Sequence, residues 1–347
     1  MKDDFESRAV GYLGFILFGA VLFVVLASIF LVTIGRPPLA TLATMLFDAF
    51  GDSYSTSESL VKATPILLCA LAVILPARLG LITVGGEGQL YFGALSGTAV
   101  VVNFPTASLP VLLPAMLIAG AVGGAAWSGL AGLLRARCNV NETISTLLLN
   151  YVAALLVSFA VYGAWKDPAS LGWPATIAFP PAATVPSLFD TRVHSGLVVG
   201  LIAAVVLHVA VTRTRWGLGL DVLAGNRKVG AMVGLSFARQ TLIVMAIGGA
   251  LAGFAGICET SAIQGRLQAG LSVGYGLTGF LVAWLSGQHC LRAVPIAILI
   301  GGLIAAGDAL QLYSKIPSAS ATVLQGLLFV AALAAGGIAS RRKARHG

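Results

Sequence analysis

Charge is scarce in this sequence: Asp, Glu, Lys and Arg together make up 10% of the 347 residues, while 58% are hydrophobic. With a mean hydropathy of +0.94, the chain carries more apolar surface than a soluble domain of its length can cover, which leaves a polytopic membrane protein. The usual marks of catalysis are missing as well. The four histidines (His194, His208, His289, His346) are dispersed, and neither H-E-x-x-H nor G-x-S-x-G occurs, so a membrane enzyme is unsupported and no catalytic residue is assigned. No G-x-x-x-x-G-K-[ST] occurs, which excludes nucleotide hydrolysis through a P-loop. Cys69, Cys138, Cys258 and Cys290 show no C-x-x-C spacing, so neither a zinc site nor a disulfide framework is expected, and no metal ligand is named. A basic leader is also lacking. The first apolar stretch, Gly11 to Ile34, follows Asp3, Asp4 and Glu6 set against Lys2 and Arg8. At about 36 Å as a helix it is too long for a signal-peptide core and is expected to stay as a transmembrane helix.

What is present is a succession of apolar runs. Ten can be marked, at 11–34, 61–77, 89–104, 109–134, 143–165, 195–213, 239–258, 276–289, 291–308 and 319–339. The expected fold is an all-α polytopic membrane protein, one transmembrane domain over 1–347 with about ten helices. Several runs fall short of the roughly 20 residues of a straight span, which predicts broken or re-entrant pieces. The net charge of +8 belongs to membrane topology rather than to nucleic acid. With a cytoplasmic N-terminus, ten crossings place 15 of the 21 Lys and Arg inside and six (Arg36, Lys62, Lys166, Arg192, Arg266, Lys315) outside, so both termini, including the basic tail 340–347, are expected in the cytoplasm. Outside lie residues 35–60, with the apolar piece LATMLFDAF, and a long Pro- and Ala-rich loop, 166–194, with Trp165 and Trp173 expected near the membrane. Either could meet an extracytoplasmic partner or serve as a connector anchored at the headgroups.

Glycine is abundant, at 42 residues, and G-x-x-x-G recurs at Gly93/Gly97, Gly120/Gly124, Gly249/Gly253 and Gly270/Gly274, a signal of close helix approach. LPVLLPAMLIAG (109–120) echoes LRAVPIAILIGG (291–302), and TLLLNYVAAL (146–155) echoes TVLQGLLFVAAL (322–333). Copies five crossings apart have opposite orientation, as in inverted-repeat transporters.

Three stretches carry chemistry. In RLGLITVGGEGQLYFGALSG (78–97), Glu87 and Gln89 sit among three glycines inside an apolar run. A carboxylate at bilayer depth costs about 2.5–3.5 kcal/mol, so it belongs in a broken helix facing an interior pathway; the alternative is a short cytoplasmic loop with a solvated Glu87. In NVNETISTLLLNY (139–151), Asn141 is placed to cap a helix, Glu142 to favour its positive end, and Asn150, two turns on, to bond a neighbouring helix or a polar solute. The basic loop 213–239, RTRWGLGLDVLAGNRKVGAMVGLSFAR, contains a short helix from Arg227 to Val233, capped by Asn226 and ended by Gly234. Such a stiff element below the membrane suits docking to a cytoplasmic motor; otherwise it is an ordinary basic loop. Glu259 and Gln264 are expected at the outer mouth and Asp308 at a helix end, as solvated or capping groups.

These stretches carry a family resemblance. TVGGEGQLYFGAL resembles the N-I-G-x-E-G-Q segment of bacterial ABC-importer permeases of the branched-chain amino acid, ribose and nucleoside superfamily. NVNETISTLLLNY resembles the V-N-E-x-I-S-T-x-x-L-N-Y signature of its nucleoside branch. LAGNRKVGAMVGLSFARQTLIVMAIGGALAGFAG resembles the coupling segment and following helix, and GYGLTGFLVAWLSGQH a distal run of the branch. Thr83 stands where Asn is usual, Val229 or Gly230 where Ala is, and Thr278 where an acidic residue is common. The resemblance implies a nucleoside-importing permease subunit in a bacterial cytoplasmic membrane. It implies a second, related permease chain, ATP-binding subunits that hold ATP and Mg, and an extracytoplasmic substrate-binding protein. Asp221, Gly225, Asn226, Arg227, Lys228 and Gly234 fall in the segment that contacts the ATPase. Glu87, Gln89, Glu142 and Asn150 become candidates for the translocation path. Alternatives are the same machine for a pentose, a purine-like base or a branched-chain amino acid, and an ion-coupled secondary transporter using Glu87 and Asp308.

Overall fold

A computed structural model describes the backbone of residues 2–170, 172–188, 191–314 and 319–346, and their side chains except at 2–16, 313–314, 321 and 336–346. Lys315 and the side chains of Lys2, Arg8 and the basic tail lie outside that description. Among the described residues thirteen α-helices follow in order: α1 (Lys2–Thr33), α2 (Pro38–Phe50), α3 (Ser53–Ala77), α4 (Gly86–Asn103), α5 (Leu109–Cys138), α6 (Glu142–Tyr162), α7 (Gly196–Arg213), α8 (Arg215–Gly225), α9 (Arg227–Met232), α10 (Phe237–Cys258), α11 (Tyr275–Leu285), α12 (Cys290–Ser314) and α13 (Ala319–His346). A π-helical stretch, Glu259–Gln264, continues α10. Among the described residues the only pairings of strand type are two isolated bridges, Ala175 with Gln268 and Ser187 with His194.

The expectation of about ten crossings is corrected. Six described helices are long and apolar enough to span a membrane, α3, α5, α6, α7, α10 with its π extension, and α12, or seven if Leu17–Thr33 and α2, bent by 112°, form one broken span. Three of the marked runs fall short, and one of them, 319–339, is among the described residues apolar only over Thr322–Ala335 in α13. In α4, Gly, Ser, Thr, Glu87 and Gln89 dilute the apolar content, while α11 is 11 residues long, about half the reach a crossing needs. Asp308 is also corrected: it is exposed and lies inside α12 rather than at its end.

The chain forms two compact units, residues 1–59 with 299–347, and residues 60–298. In the first, α1 packs along α13, with Gly19 against Ala335, over a small core of Ala27, Met45, Ala49, Ala306, Leu310 and Leu324. In the second, α3 is buried at the centre: its Leu67 and Leu68 meet Gly200 of α7, Ala72 meets Gly248 of α10, and Cys69 meets Gly279 of α11.

The second unit is organised by a seam of glycines. Gly93 of α4 faces Gly253 of α10, and Gly124 of α5 faces both Gly249 and Gly253. A β-carbon on Gly124 would stand 2.6 Å from the Gly253 Cα, a distance no real contact allows, so the three backbones touch because no side chain separates them. Three of the four G-x-x-x-G pairs serve this packing. The fourth does not: Gly270 and Gly274 lie between the π-helix and α11, and Gly274 adopts φ +93 with open space around it.

Candidate functional site

The interruption between α3 and α4 is built by local sequence. Gly80 turns left-handed (φ +76), and the Leu81 N–H donates to the Pro76 carbonyl (3.2 Å), closing α3. Residues 81–84 then belong to no regular element before α4 begins at Gly86.

A non-helical run between helices has no ladder of its own to satisfy its backbone, and here one face of α6 does so. The Ile82 N–H donates to Glu142 Oε1 (3.2 Å) and its carbonyl accepts from the Thr143 hydroxyl (2.7 Å). The Val84 N–H donates to Thr146 Oγ1 (3.1 Å) and its carbonyl accepts from Asn150 Nδ2 (2.8 Å). Asn150 Oδ1 then accepts from the Gly88 N–H (2.8 Å), one of the first-turn donors of α4 that no intrahelical carbonyl can satisfy. Glu142 also pairs with Arg135 at 3.1 Å, and Asn141 caps α6 by accepting from Thr143 and Ile144, as its position in the sequence predicted. Both ends of the Asn150 carboxamide are therefore occupied by backbone. Thr143 and Thr146 belong to the same clamp and were not singled out in the sequence; the only signal was their place at helical spacing between Glu142 and Asn150.

Glu87 reaches to a second interruption. Its Oε2 accepts from the Gly276 N–H (2.7 Å) in the first turn of α11, and Ser272 Oγ accepts from Gly274 (3.1 Å) and Tyr275 (3.0 Å). Gly276 packs directly on the backbone of Gly86 and Glu87. The N-termini of two short helices thus converge, and a carboxylate sits where their partial positive charges add. Gln89 is 3% exposed, and its Oε1 accepts no hydrogen bond.

The segment 213–239 forms two helices. Thr214 caps α8, and Asn226 caps α9 by accepting from Lys228 (2.9 Å) and Val229 (3.4 Å); Gly234, at φ +79, ends the turn as expected, although α9 stops at Met232. The pair is tied to its surroundings at three points. Trp216 Nε1 donates to Gln240 Oε1 (2.8 Å), the Arg227 guanidinium lies 3.8 Å from the centre of the Phe237 ring, and Gly230 packs on Leu223. Asp221 faces Arg78, the residue after α3, at 3.9 Å. With the two side chains 26% and 51% exposed, such a pair contributes at most about 1 kcal/mol, so its value is positional. Gly225, Lys228 and Gly234 are exposed, and Met232, 84% exposed, and Val233 present an apolar tip. No group of three or more metal-ligating side chains occurs among the described residues.

The family model for the branched-chain amino acid transport system permease component matches residues 55–333. The glucose ABC transporter permease protein TsgB13 of Haloferax volcanii is 34% identical, over 86% of this chain and 81% of its own. The guanosine ABC transporter permease protein NupP of Bacillus subtilis is 29% identical, over 81% and 82%. The nucleoside ABC transporter permease protein NupB of Lactococcus lactis is 27% identical, over 80% and 78%.

Proposed function

From the premise that the chain belongs to the family of branched-chain amino acid transport permease components, the membrane subunits of ABC transporters, we propose that it imports nucleosides by alternating access. Membership in that family removes the case for an ion-coupled carrier. In the proposed assembly a second, related permease chain sits beside this one. Partner ATP-binding subunits hold ATP and Mg, an extracytoplasmic binding protein delivers cargo, and both termini face the cytoplasm of a bacterial inner membrane.

The observation that carries the mechanism is the interrupted α3–α4 crossing, whose backbone is held by side chains rather than by a helix of its own. Closure of the ATPases pushes on α9, whose exposed Met232 and Val233 give it an apolar docking tip. The push passes along α8 to Asp221 and Arg78, and so to the residues where α3 stops. From there it reaches Glu87 and Gly276, where the two short helices meet. Gln89, with a buried oxygen that accepts no hydrogen bond, is the path residue best placed to meet passing cargo.

A second reading, the same machine carrying a free sugar, is favoured by one observation: the relative at 34% identity is named for glucose. Labelled uridine, guanosine and glucose are offered to cells that lack the gene and to cells that regain it, with unlabelled ribose, free base and leucine as competitors. Restored uridine and guanosine uptake, competed only by nucleosides, is the expected result. Restored glucose uptake alone would replace the cargo, and full competition by leucine would move it to amino acids.

A further inference from the structure

Glu259 takes no part in the clamp or in the coupling path, yet it is buried, at 4% exposure, and its Oε2 accepts no hydrogen bond. It was expected as a solvated group and is instead enclosed. It opens the π-helical stretch that continues α10, an element that recurs at functional sites. The glycine seam fixes its level. Gly93 lies against Gly253 and Leu90 against Gly256, so α4 and α10 run antiparallel in register, and three residues further on stand Glu87 and Glu259. Both carboxylates flank the start of α11: Gly276 donates to Glu87, and Tyr275 hydrogen-bonds to Glu259. The turn bearing Glu259 is stitched to the long loop 166–194, because Ser261 accepts from the Val185 N–H (2.9 Å) and donates to the Ala183 carbonyl (2.5 Å).

We propose that Glu259, with Tyr275 beside it, is a cargo-binding subsite that accepts hydrogen bonds from the hydroxyl groups of a sugar-bearing solute. Glu259 Oε2 is a buried acceptor to which nothing in the protein donates, and a hydroxyl group of the ligand can supply the missing donor. Lys62 and Arg192 already act electrostatically on this group, which disfavours a cation and favours a neutral donor. A hydroxylated sugar supplies such donors whether it is free or carries a base. The assignment rests on the import function proposed above and leaves the choice between nucleoside and free sugar to experiment.

The test uses the complete importer in membranes and compares the parent with Glu259→Gln, using uridine and 2′,3′-dideoxyuridine as cargos and the same binding protein throughout. Selection by the binding protein then cancels in the comparison. The parent is expected to favour uridine, and the variant to narrow that preference by about tenfold, through a fall in kcat/KM for uridine alone, as the loss of a buried hydrogen bond implies. Equal losses for both cargos, or an unchanged preference, would overturn the assignment and leave Glu259 a packing residue. If the parent carries glucose and not uridine, the cargo reading fails by itself, and the same ratio taken with glucose and 3-deoxyglucose decides the role of Glu259. If it carries neither, both readings fall. Membrane abundance of Glu259→Gln and Glu259→Ala separates misfolding from lost recognition, since misfolding lowers abundance and uptake of every cargo together.

Discussion

Asn150 holds two backbone groups more than sixty residues away, one through each end of its carboxamide. Asn150→Ala deletes both bonds and leaves the Gly88 N–H and the Val84 carbonyl without partners, at about 1–3 kcal/mol for each group that stays dry. The thermal midpoint of the purified importer should therefore fall clearly, whereas Asn150→Asp, which keeps the acceptor for Gly88, should fall less. Equal midpoints for the two variants would contradict this division of labour. The roles legible in the sequence at this scale were local ones. Asn141, Asn226 and Gly234 could be read as caps because a cap is decided within three residues of itself. Thr143, Thr146 and Gly276 could not, because their partners lie at Ile82, Val84 and Glu87, and nothing in local spacing joins stretches so far apart.

Among elements, α5 offers an internal comparison. Gly124 faces the backbones of Gly249 and Gly253, while Gly129, one turn and a half further on, has open space around it. Gly124→Ala should disrupt the packing of α4, α5 and α10 and lower membrane abundance sharply. Gly129→Ala should be neutral or stabilising by up to about 1 kcal/mol, since alanine is the better helix former; quantitative immunoblots and melting curves of both variants check this. The glycine pairs revealed this packing in the sequence because small residues one turn apart have few other uses in an apolar helix. They misled at Gly270/Gly274, where the same spacing falls outside any helix. The coupling element makes a separate prediction. Asn226→Pro removes the N–H that bonds to the Val222 carbonyl at the end of α8, so uptake should be lost and ATP hydrolysis should no longer respond to the binding protein, at normal abundance. Normal uptake in this variant would remove α9 from the relay.

At the scale of the whole molecule, the described cysteines provide a probe of orientation. Cys138, at the end of α5, is exposed, whereas Cys69, Cys258 and Cys290 are buried. A membrane-impermeant maleimide should label Cys138 in inside-out vesicles and not in intact spheroplasts, and a Cys138→Ser variant should lose the signal. Labelling in spheroplasts would invert the proposed topology. The all-helical architecture was legible because apolar runs survive any detail of packing, but the number of crossings was not. A run can be apolar enough to be noticed and still, like α11, be too short to cross, or, like α4, be too polar to stand in lipid alone. The glycine seam has a further consequence for how such a machine can move. Where side chains separate two helices, rotamers absorb small displacements like a cushion. Where backbone rests on backbone, as at Gly93, Gly124 and Gly253, there is no cushion to compress. In the alternating access proposed above, the α4–α5–α10 block is then the stator, and the conformational work falls to its edges, in the unwound residues 78–85 and in the stretch from 259 to 274.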